Sequence, residues 1–189
     1  GGSQKGLMMP PGIGFNAISP KAIEASKTAT LPRVFWGWDE ILAMNVDGYW
    51  PSTPNTNLLY ALNESLDMLL GEGLPNVFAR HLRWAAGVRA AVNAWGLPIQ
   101  GVDADALRKT IHRRFDLSLG MGLGKLKGRM FRIGHLGDSN DLTLVAALAG
   151  CEMGLKLAGV HLEGSGVRAA MDHFAAHEAR LGNAAQCNA

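Results

Sequence analysis

A lysine near the start of the chain has surroundings in which covalent chemistry is conceivable. Lys5 lies among glycine and apolar residues, and the only acidic residue within thirty positions of it is Glu24. Schiff-base chemistry requires a poorly solvated ammonium, because desolvation favours the neutral, nucleophilic amine. Local composition alone favours an ordinary surface lysine in a Gly-rich turn. A phosphate-binding loop is excluded, since Gly-x-x-x-x-Gly-Lys-Ser/Thr does not occur.

Arg132 and three histidines are the other side chains that could act on a ligand. A guanidinium offers the planar, two-pronged donor that a carboxylate needs, although the residue pattern alone favours a strand-edge arginine in a surface ion pair. His135 is predicted to be a structural, hydrogen-bonded histidine. His173 and His177 lie four residues apart, but no third ligand has suitable spacing. We therefore predict no metal site.

Four segments, in the same order along the chain, resemble the class V aminotransferases of the alanine/serine–glyoxylate group. The first is GSQKGLMMPPG at residues 2–12. The second is YWPSTP at 49–54 together with LLYAL at 58–62. The third and fourth are LSLGMGLG at 117–124 and FRIGHLG at 131–137. The Trp-Pro and Gly-His-Leu-Gly details are more similar to serine–glyoxylate enzymes than to their alanine-specific relatives.

The resemblance implies roles for three residues around a pyridoxal-phosphate (PLP) cofactor. Lys5 would form the Schiff base with PLP and then act as the base and acid of the proton shift. Gln4 would hydrogen-bond the cofactor phosphate. Arg132 would clamp the α-carboxylate of the substrate.

The resemblance also implies a homodimer. Tyr49 or Trp50, between which the correspondence is uncertain by one residue, and Thr53 would reach the phosphate of the neighbouring subunit's cofactor. The implied reaction is transamination of small amino-acid and 2-oxo-acid substrates, with serine and glyoxylate giving hydroxypyruvate and glycine. An alanine–glyoxylate or other class V activity is one alternative. A non-catalytic, truncated fragment is another.

Helical periodicity and capping residues predict most of the elements that would position these side chains. Residues 1–15 should form an ordered loop or strand edge, residues 30–53 are loop-rich, and 130–133 alternate as a strand. In the second long helix, Leu82, Ala85, Val88 and Val92 are predicted to face inward. The predicted helices cover 19–28, 53 to 71 or 73, 76–95 and 105–115, with two more starting at Ser139 or Asn140 and at Ser165.

This mixture of helices and strands predicts an α/β or α+β fold. The resemblance narrows the prediction to a fragment of a fold-type I PLP enzyme. Residues 1–72 would be the carboxy-terminal part of the large, PLP-binding domain, and 73–189 would be the small domain.

Two departures from the family accompany the resemblance. The family's amino-terminal half, which supplies a Gly-rich phosphate turn, a stacking aromatic ring and an aspartate for the pyridinium nitrogen, has no counterpart here. The stretch 97–103 is also shorter than in the family, which places a loop and an apolar strand there. An omitted loop, a deletion or a splicing event would each explain the difference.

Composition excludes several other classes of protein. The chain has 189 residues, 48% of them apolar, which suffices for a real core. A net charge of +2 and the lack of interleaved basic and aromatic residues argue against a nucleic-acid partner. No apolar run is long enough for a membrane span and no secretory signal opens the chain. Two isolated cysteines favour a reducing compartment, and we predict a cytoplasmic location.

Overall fold

The computed structural model describes residues 1–35, 37–96 and 102–186, with side chains as far as residue 176. The chain divides into two compact units, Gly1–Gly71 and Glu72–Ala189. Within the described ranges, no helix is both long and apolar enough to cross a bilayer.

The first unit opens with a closed loop and a short helix, as the sequence predicts. Gly2 and Gly14 form an antiparallel bridge that joins the two ends of the loop. Helix α1 (Pro20–Lys27) follows, and the Ser19 hydroxyl accepts a hydrogen bond of 3.2 Å from the Ala22 N–H. A serine cap followed by proline satisfies and pre-organises the first turn of a helix, which is why this prediction is confirmed.

Helix α2 (Trp38–Asn45) occupies part of the segment that the sequence predicts to be loop-rich. It buries no residue and has no side-chain cap, so the two signals used to recognise helices are missing. Asp39 and Glu40 lie in its first turn, where negative charge is stabilised by the helix dipole.

Helix α3 (Thr56–Glu72) completes the first unit and is the longest helix in it. The Leu58 N–H donates a hydrogen bond of 3.2 Å to Asn55 Oδ1. Asn55 therefore caps the helix in place of Thr53, so the predicted cap was two residues too early. The helix ends one residue before Gly73, whose φ of 84° interrupts helical geometry.

In the described part of the second unit, four long helices surround one core. They are α4 (Leu74–Ala94), α5 (Ala104–Phe115), α6 (Asp141–Leu157) and α7 (Gly166–Gln186). Helix α4 packs against α6 and α7, and α5 packs against α6. At the start of α6, Asn140 Oδ1 accepts from the Thr143 N–H and Thr143 Oγ1 accepts from the Asn140 N–H. This reciprocal cap selects Asn140 from the two predicted starts, Ser139 and Asn140.

The core of the second unit is built around two tryptophans. Its buried residues are Trp84, Ala91, Trp95, Leu107, Ile111, Leu119, Leu144, Leu148, Cys151, Leu155, Ala170 and Phe174. Burial raises the pKa of the Cys151 thiol to about 12, which keeps it protonated at neutral pH.

The inward face of α4 differs from the predicted one. Leu82 is 68% exposed, whereas Trp84, Gly87 and Ala91 are buried. Gly87 lies in the core because Phe174 packs directly on it: a Cβ there would lie 2.3 Å from the ring. The prediction for Leu82 was therefore wrong, although Val88 and Val92 do pack against the core.

A two-stranded antiparallel sheet connects α5 to α6. Strand β1 (Gly120–Met121) pairs with β2 (Phe131–Arg132), with Gly120 opposite Arg132 and Met121 opposite Phe131. Strand β2 lies inside the predicted strand 130–133. Most of the stretch 97–103, where the sequence is shorter than its family, lies outside the described residues.

Candidate active site

The turn that carries Lys5 is closed by its own backbone. The Met8 N–H donates to the Lys5 carbonyl over 2.9 Å, and the Met9 N–H donates to the Ser3 carbonyl over 3.2 Å. Met8 adopts a left-handed φ of 55°, which is uncommon for a residue with a Cβ and indicates a conformation imposed by its surroundings. We call residues 3–9 the Lys5 turn.

Lys5 and Gln4 are both exposed on this turn. No hydrogen bond or ion pair joins the Lys5 amine to another described residue. The Gln4 side chain folds back over Gly2, where an added Cβ would lie 2.8 Å from Gln4 Oε1. The two predicted residues therefore present an amine and an amide on the same turn, and both groups are accessible to a ligand.

Tyr49, Trp50 and Thr53 lie on the connection between α2 and α3 and are also exposed. Tyr49 is 67% exposed and Trp50 46%. The Tyr49 N–H donates to the Met44 carbonyl over 3.0 Å, which fixes the exit from α2. Within the described part of the chain, no hydrogen bond connects these three side chains to Lys5 or Gln4.

Arg132 belongs to the second unit, where it lies on β2. Its Nε donates to the Met121 carbonyl over 2.9 Å. The surface ion pair that local pattern favours does not form with any described residue. Both Nη groups have no hydrogen-bond partner there, so the outer edge of the guanidinium keeps the two parallel donors that a carboxylate accepts.

The backbone of the Gly-rich segment before β2 packs closely on itself and so supports the strand that carries Arg132. A Cβ at Gly122 would lie 2.1 Å from the Leu126 carbonyl oxygen, so only glycine fits. The Gly122 N–H donates to the Met130 carbonyl over 3.0 Å. This contact continues the β1–β2 ladder across the short 3₁₀ helix Gly124–Leu126.

An arginine that sequence reasoning missed holds the loop that follows β2. Arg80 donates through Nε and Nη2 to the two carboxylate oxygens of Glu72, each over 2.7 Å, and through Nη1 to the Gly137 carbonyl over 2.9 Å. The hydrogen bond from Arg80 lowers the pKa of Glu72, and the same bond raises the pKa of Arg80. No local sequence signal reveals this link, because the Gly137 carbonyl lies 57 positions away.

His135 is not hydrogen-bonded in the way that the sequence suggested. Its Nδ1 is buried and has no hydrogen-bond partner among the described residues. The ring lines a cavity of about 420 Å³ whose other walls are mostly apolar, including Val88, Trp95 and Phe131. The prediction that His135 is hydrogen-bonded is therefore wrong for its Nδ1.

A buried carboxylate, Glu152, was also missed. It accepts hydrogen bonds from Trp95 Nε1 at 3.0 Å, Lys156 Nζ at 2.9 Å and the Val167 N–H at 3.1 Å. Burial alone would raise the pKa of Glu152, but these three donors outweigh it and lower the pKa to about 2. Glu152 therefore joins α4, α6 and α7 and acts as a structural anion.

Comparison with known proteins identifies aminotransferases that are similar to this chain. No model of a known protein family matches the chain. The chain is 44% identical over 194 residues to a serine–glyoxylate aminotransferase from Hyphomicrobium methylovorum, covering 92% of this chain and 48% of the relative. It is 41% identical over 192 residues to an L-aspartate–glyoxylate aminotransferase from Paracoccus denitrificans, with the same two coverages.

The fold agrees with these sequence relatives. The structure matches ureidoglycine–glyoxylate aminotransferase from Bacillus subtilis with a TM-score of 0.76 at 24% identity, over 92% of this chain and 50% of that one. The fold is thus that of the fold-type I aminotransferases, as predicted. The chain belongs to the class V aminotransferases, and it spans about half the length of the curated relatives it matches.

The alignments also show that this chain is shorter than its relatives inside the matched region. The H. methylovorum alignment extends over 194 positions but includes 92% of the 189 residues here, which is about 174. About 20 positions of that relative therefore have no counterpart.

Proposed function

We propose that this chain is the carboxy-terminal half of a PLP-dependent transaminase that moves an amino group from L-serine to glyoxylate. The observation that carries the proposal is identity of 44% to a serine–glyoxylate aminotransferase over nearly the whole chain. Residues 1–72 would contribute to the cofactor domain and 73–189 would form the small domain.

The residues on the Lys5 turn fit such a cofactor. The Lys5 amine is exposed and has no competing partner among the described residues, so an aldehyde can reach it. The desolvation that favours the neutral amine would have to come from the bound cofactor and the rest of a longer enzyme. Gln4 has an accessible amide that can donate to a phosphate oxygen. PLP, when bound, supplies the electron sink for amino-group transfer. Lys5 would hold the cofactor in place and then carry the proton between the two carbons that exchange it.

Arg132 would bind the α-carboxylate common to the amino donor and the oxo acceptor. Its two Nη groups have no hydrogen-bond partner among the described residues, while Nε is already committed to the Met121 carbonyl. A fixed Nε leaves the outer edge of the guanidinium oriented and available, so that binding a carboxylate costs little further ordering.

Tyr49, Trp50 and Thr53 would act across a homodimer interface, on the phosphate of the neighbouring subunit's cofactor. Their exposure in a single chain suits this role, since an exposed tryptophan and tyrosine on one short connection are typical of interface residues. The proposed enzyme acts in the cytoplasm on small molecules.

The amino donor distinguishes this proposal from its nearest alternative. A relative at 41% identity is named for L-aspartate, so the family relation alone does not select serine. We propose to supply the purified protein with PLP and add serine, alanine or aspartate separately, without an acceptor. The loss of cofactor absorbance should be fastest with serine. Faster loss with alanine or aspartate would identify that amino acid as the preferred donor, and the proposed reaction would still be a transamination.

A second candidate is a chain without catalytic activity of its own. The observation in its favour is that the chain covers 48% of its serine–glyoxylate relative. If none of the three amino acids changes the cofactor absorbance, and PLP does not bind, this candidate holds for the chain by itself.

A further inference from the structure

The Lys5 turn is held on both sides by buried serines. Ser3 lies two positions before Lys5 and is 0% exposed. Its hydroxyl donates to the Pro10 carbonyl over 2.7 Å and accepts from the Ile13 N–H over 3.3 Å. Because these bonds cross the loop, Ser3 fixes the start of the turn relative to Pro10 and Ile13 on the other side of the loop.

The other side of the turn is held from a distant helix. Ser65 lies on α3, is 5% exposed, and donates a short hydrogen bond to the Leu7 carbonyl, 58 positions away. Leu7 is two positions after Lys5, and the next residue, Met8, donates its N–H back to the Lys5 carbonyl. The hydroxyl of Ser65 is thus connected to the Lys5 backbone through one peptide unit.

Neighbouring contacts show that this part of α3 is shaped to receive the loop. The Leu58 side chain lies against Gly12, where an added Cβ would be 2.6 Å from Leu58 Cδ1. Met9 is buried as well. Burial excludes water from the Ser65 hydroxyl, so removing it would leave the Leu7 carbonyl without its partner rather than hydrated.

We propose that Ser65 is a positioning residue for Lys5, which acts by fixing the Leu7 carbonyl and thereby the turn. The proposal rests on the proposed role of Lys5 for its catalytic meaning, while its structural part can be tested separately. Loss of the hydroxyl should loosen the turn without changing the rest of the first unit.

The test is hydrogen–deuterium exchange on the full chain, with three variants. Ser65→Ala removes the donor, and Ser65→Cys keeps most of the volume but offers only a weak donor. Ser26→Ala is the matched control, because its hydroxyl donates to the Ile23 carbonyl inside α1. In both Ser65 variants the Met8 and Met9 amides should exchange about tenfold faster, the factor that corresponds to one typical hydrogen bond. Ser26→Ala should leave them unchanged.

Three results would overturn the proposal. One is unchanged exchange at Met8 and Met9 in Ser65→Ala. Another is acceleration spread evenly through α3, which would indicate a general loss of stability. The third is wild-type exchange of the Met8 and Met9 amides in Ser65→Cys. This result would show that the side-chain volume at position 65 matters and that the hydrogen bond does not.

Reductive labelling with PLP and borohydride then connects the turn to Lys5. The ratio of label on Lys5 to label on exposed Lys21 should fall several-fold in Ser65→Ala, and an unchanged ratio would contradict positioning. If wild-type Lys5 takes no label at all, the proposed function fails, and the exchange data still decide whether Ser65 fixes the turn.

Discussion

Arg132 lies across the bare face of Gly120, its partner on the neighbouring strand. A Cβ at Gly120 would be 3.2 Å from both Cβ and Nε of Arg132. The arginine side chain thus follows the strand surface to reach the Met121 carbonyl, to which Nε donates. The orientation of the guanidinium therefore depends on the absence of a side chain at Gly120.

Replacing Gly120 by alanine should displace this guanidinium by a few tenths of an ångström. Gly120 does not have a positive φ, so the backbone accepts alanine and the effect comes from the side-chain contact. We expect KM for the amino donor to rise about three- to tenfold with a smaller change in kcat, since the Arg132 contact would be strained in substrate binding. A kinetic assay of the Gly120→Ala protein measures both. Unchanged KM would show that the glycine does not set the orientation of Arg132.

Replacing Arg132 by leucine should weaken amino-acid binding more severely. A charged, bidentate hydrogen bond to the carboxylate would be lost, which corresponds to about ten- to a hundredfold in KM. Arg132→Lys keeps the charge without the planar fork and should recover only part of the loss. A wild-type KM in the Arg132→Leu protein would contradict the proposal that Arg132 binds the substrate carboxylate.

The lowered pKa of Glu152 predicts that the second unit loses stability in acid. Its pKa is about 2 in the folded protein, against an ordinary value of 4.5. Because the folded pKa is the lower one, the stabilisation is fully present above pH 4.5 and is lost as pH falls towards 2. The free energy of unfolding of the wild type should therefore approach that of Glu152→Gln over this interval.

Urea unfolding at pH 6, 4.5, 3 and 2.5 provides the measurement for Glu152. Glu24→Gln is the control, because Glu24 forms an exposed ion pair with Lys27 and such pairs contribute little. A difference between wild type and Glu152→Gln that stays constant from pH 6 to pH 2.5 would contradict the lowered pKa.

The parts of the fold that the sequence predicted are those determined by neighbouring residues. Ser19 and Asn140 cap their helices through backbone groups three positions away, so the signal is local. Helix α2 was missed because it has no side-chain cap and buries nothing. The inward face of α4 was misjudged at Leu82, because the packing of Phe174 on Gly87 depends on a helix far along the chain.

The same difference between local signals and distant contacts applies to the candidate site. Lys5, Gln4 and Arg132 could be named because they lie in short segments that resemble a family. The groups that hold those segments could not, since the Ser65–Leu7, Arg80–Gly137 and Glu152–Trp95 bonds each join residues 57 or 58 positions apart. No spacing or composition marks such pairs before the chain is folded.

The most direct test of the central claim is the site at which PLP attaches to this chain. The protein is incubated with PLP, reduced with borohydride, digested and analysed by peptide mass spectrometry, with Lys5→Arg and Lys21→Arg in parallel. The account predicts one stoichiometric pyridoxyl group on Lys5, lost in Lys5→Arg and retained in Lys21→Arg. Label scattered over surface lysines, or none on Lys5, would contradict the assignment of Lys5 as the cofactor lysine of this chain.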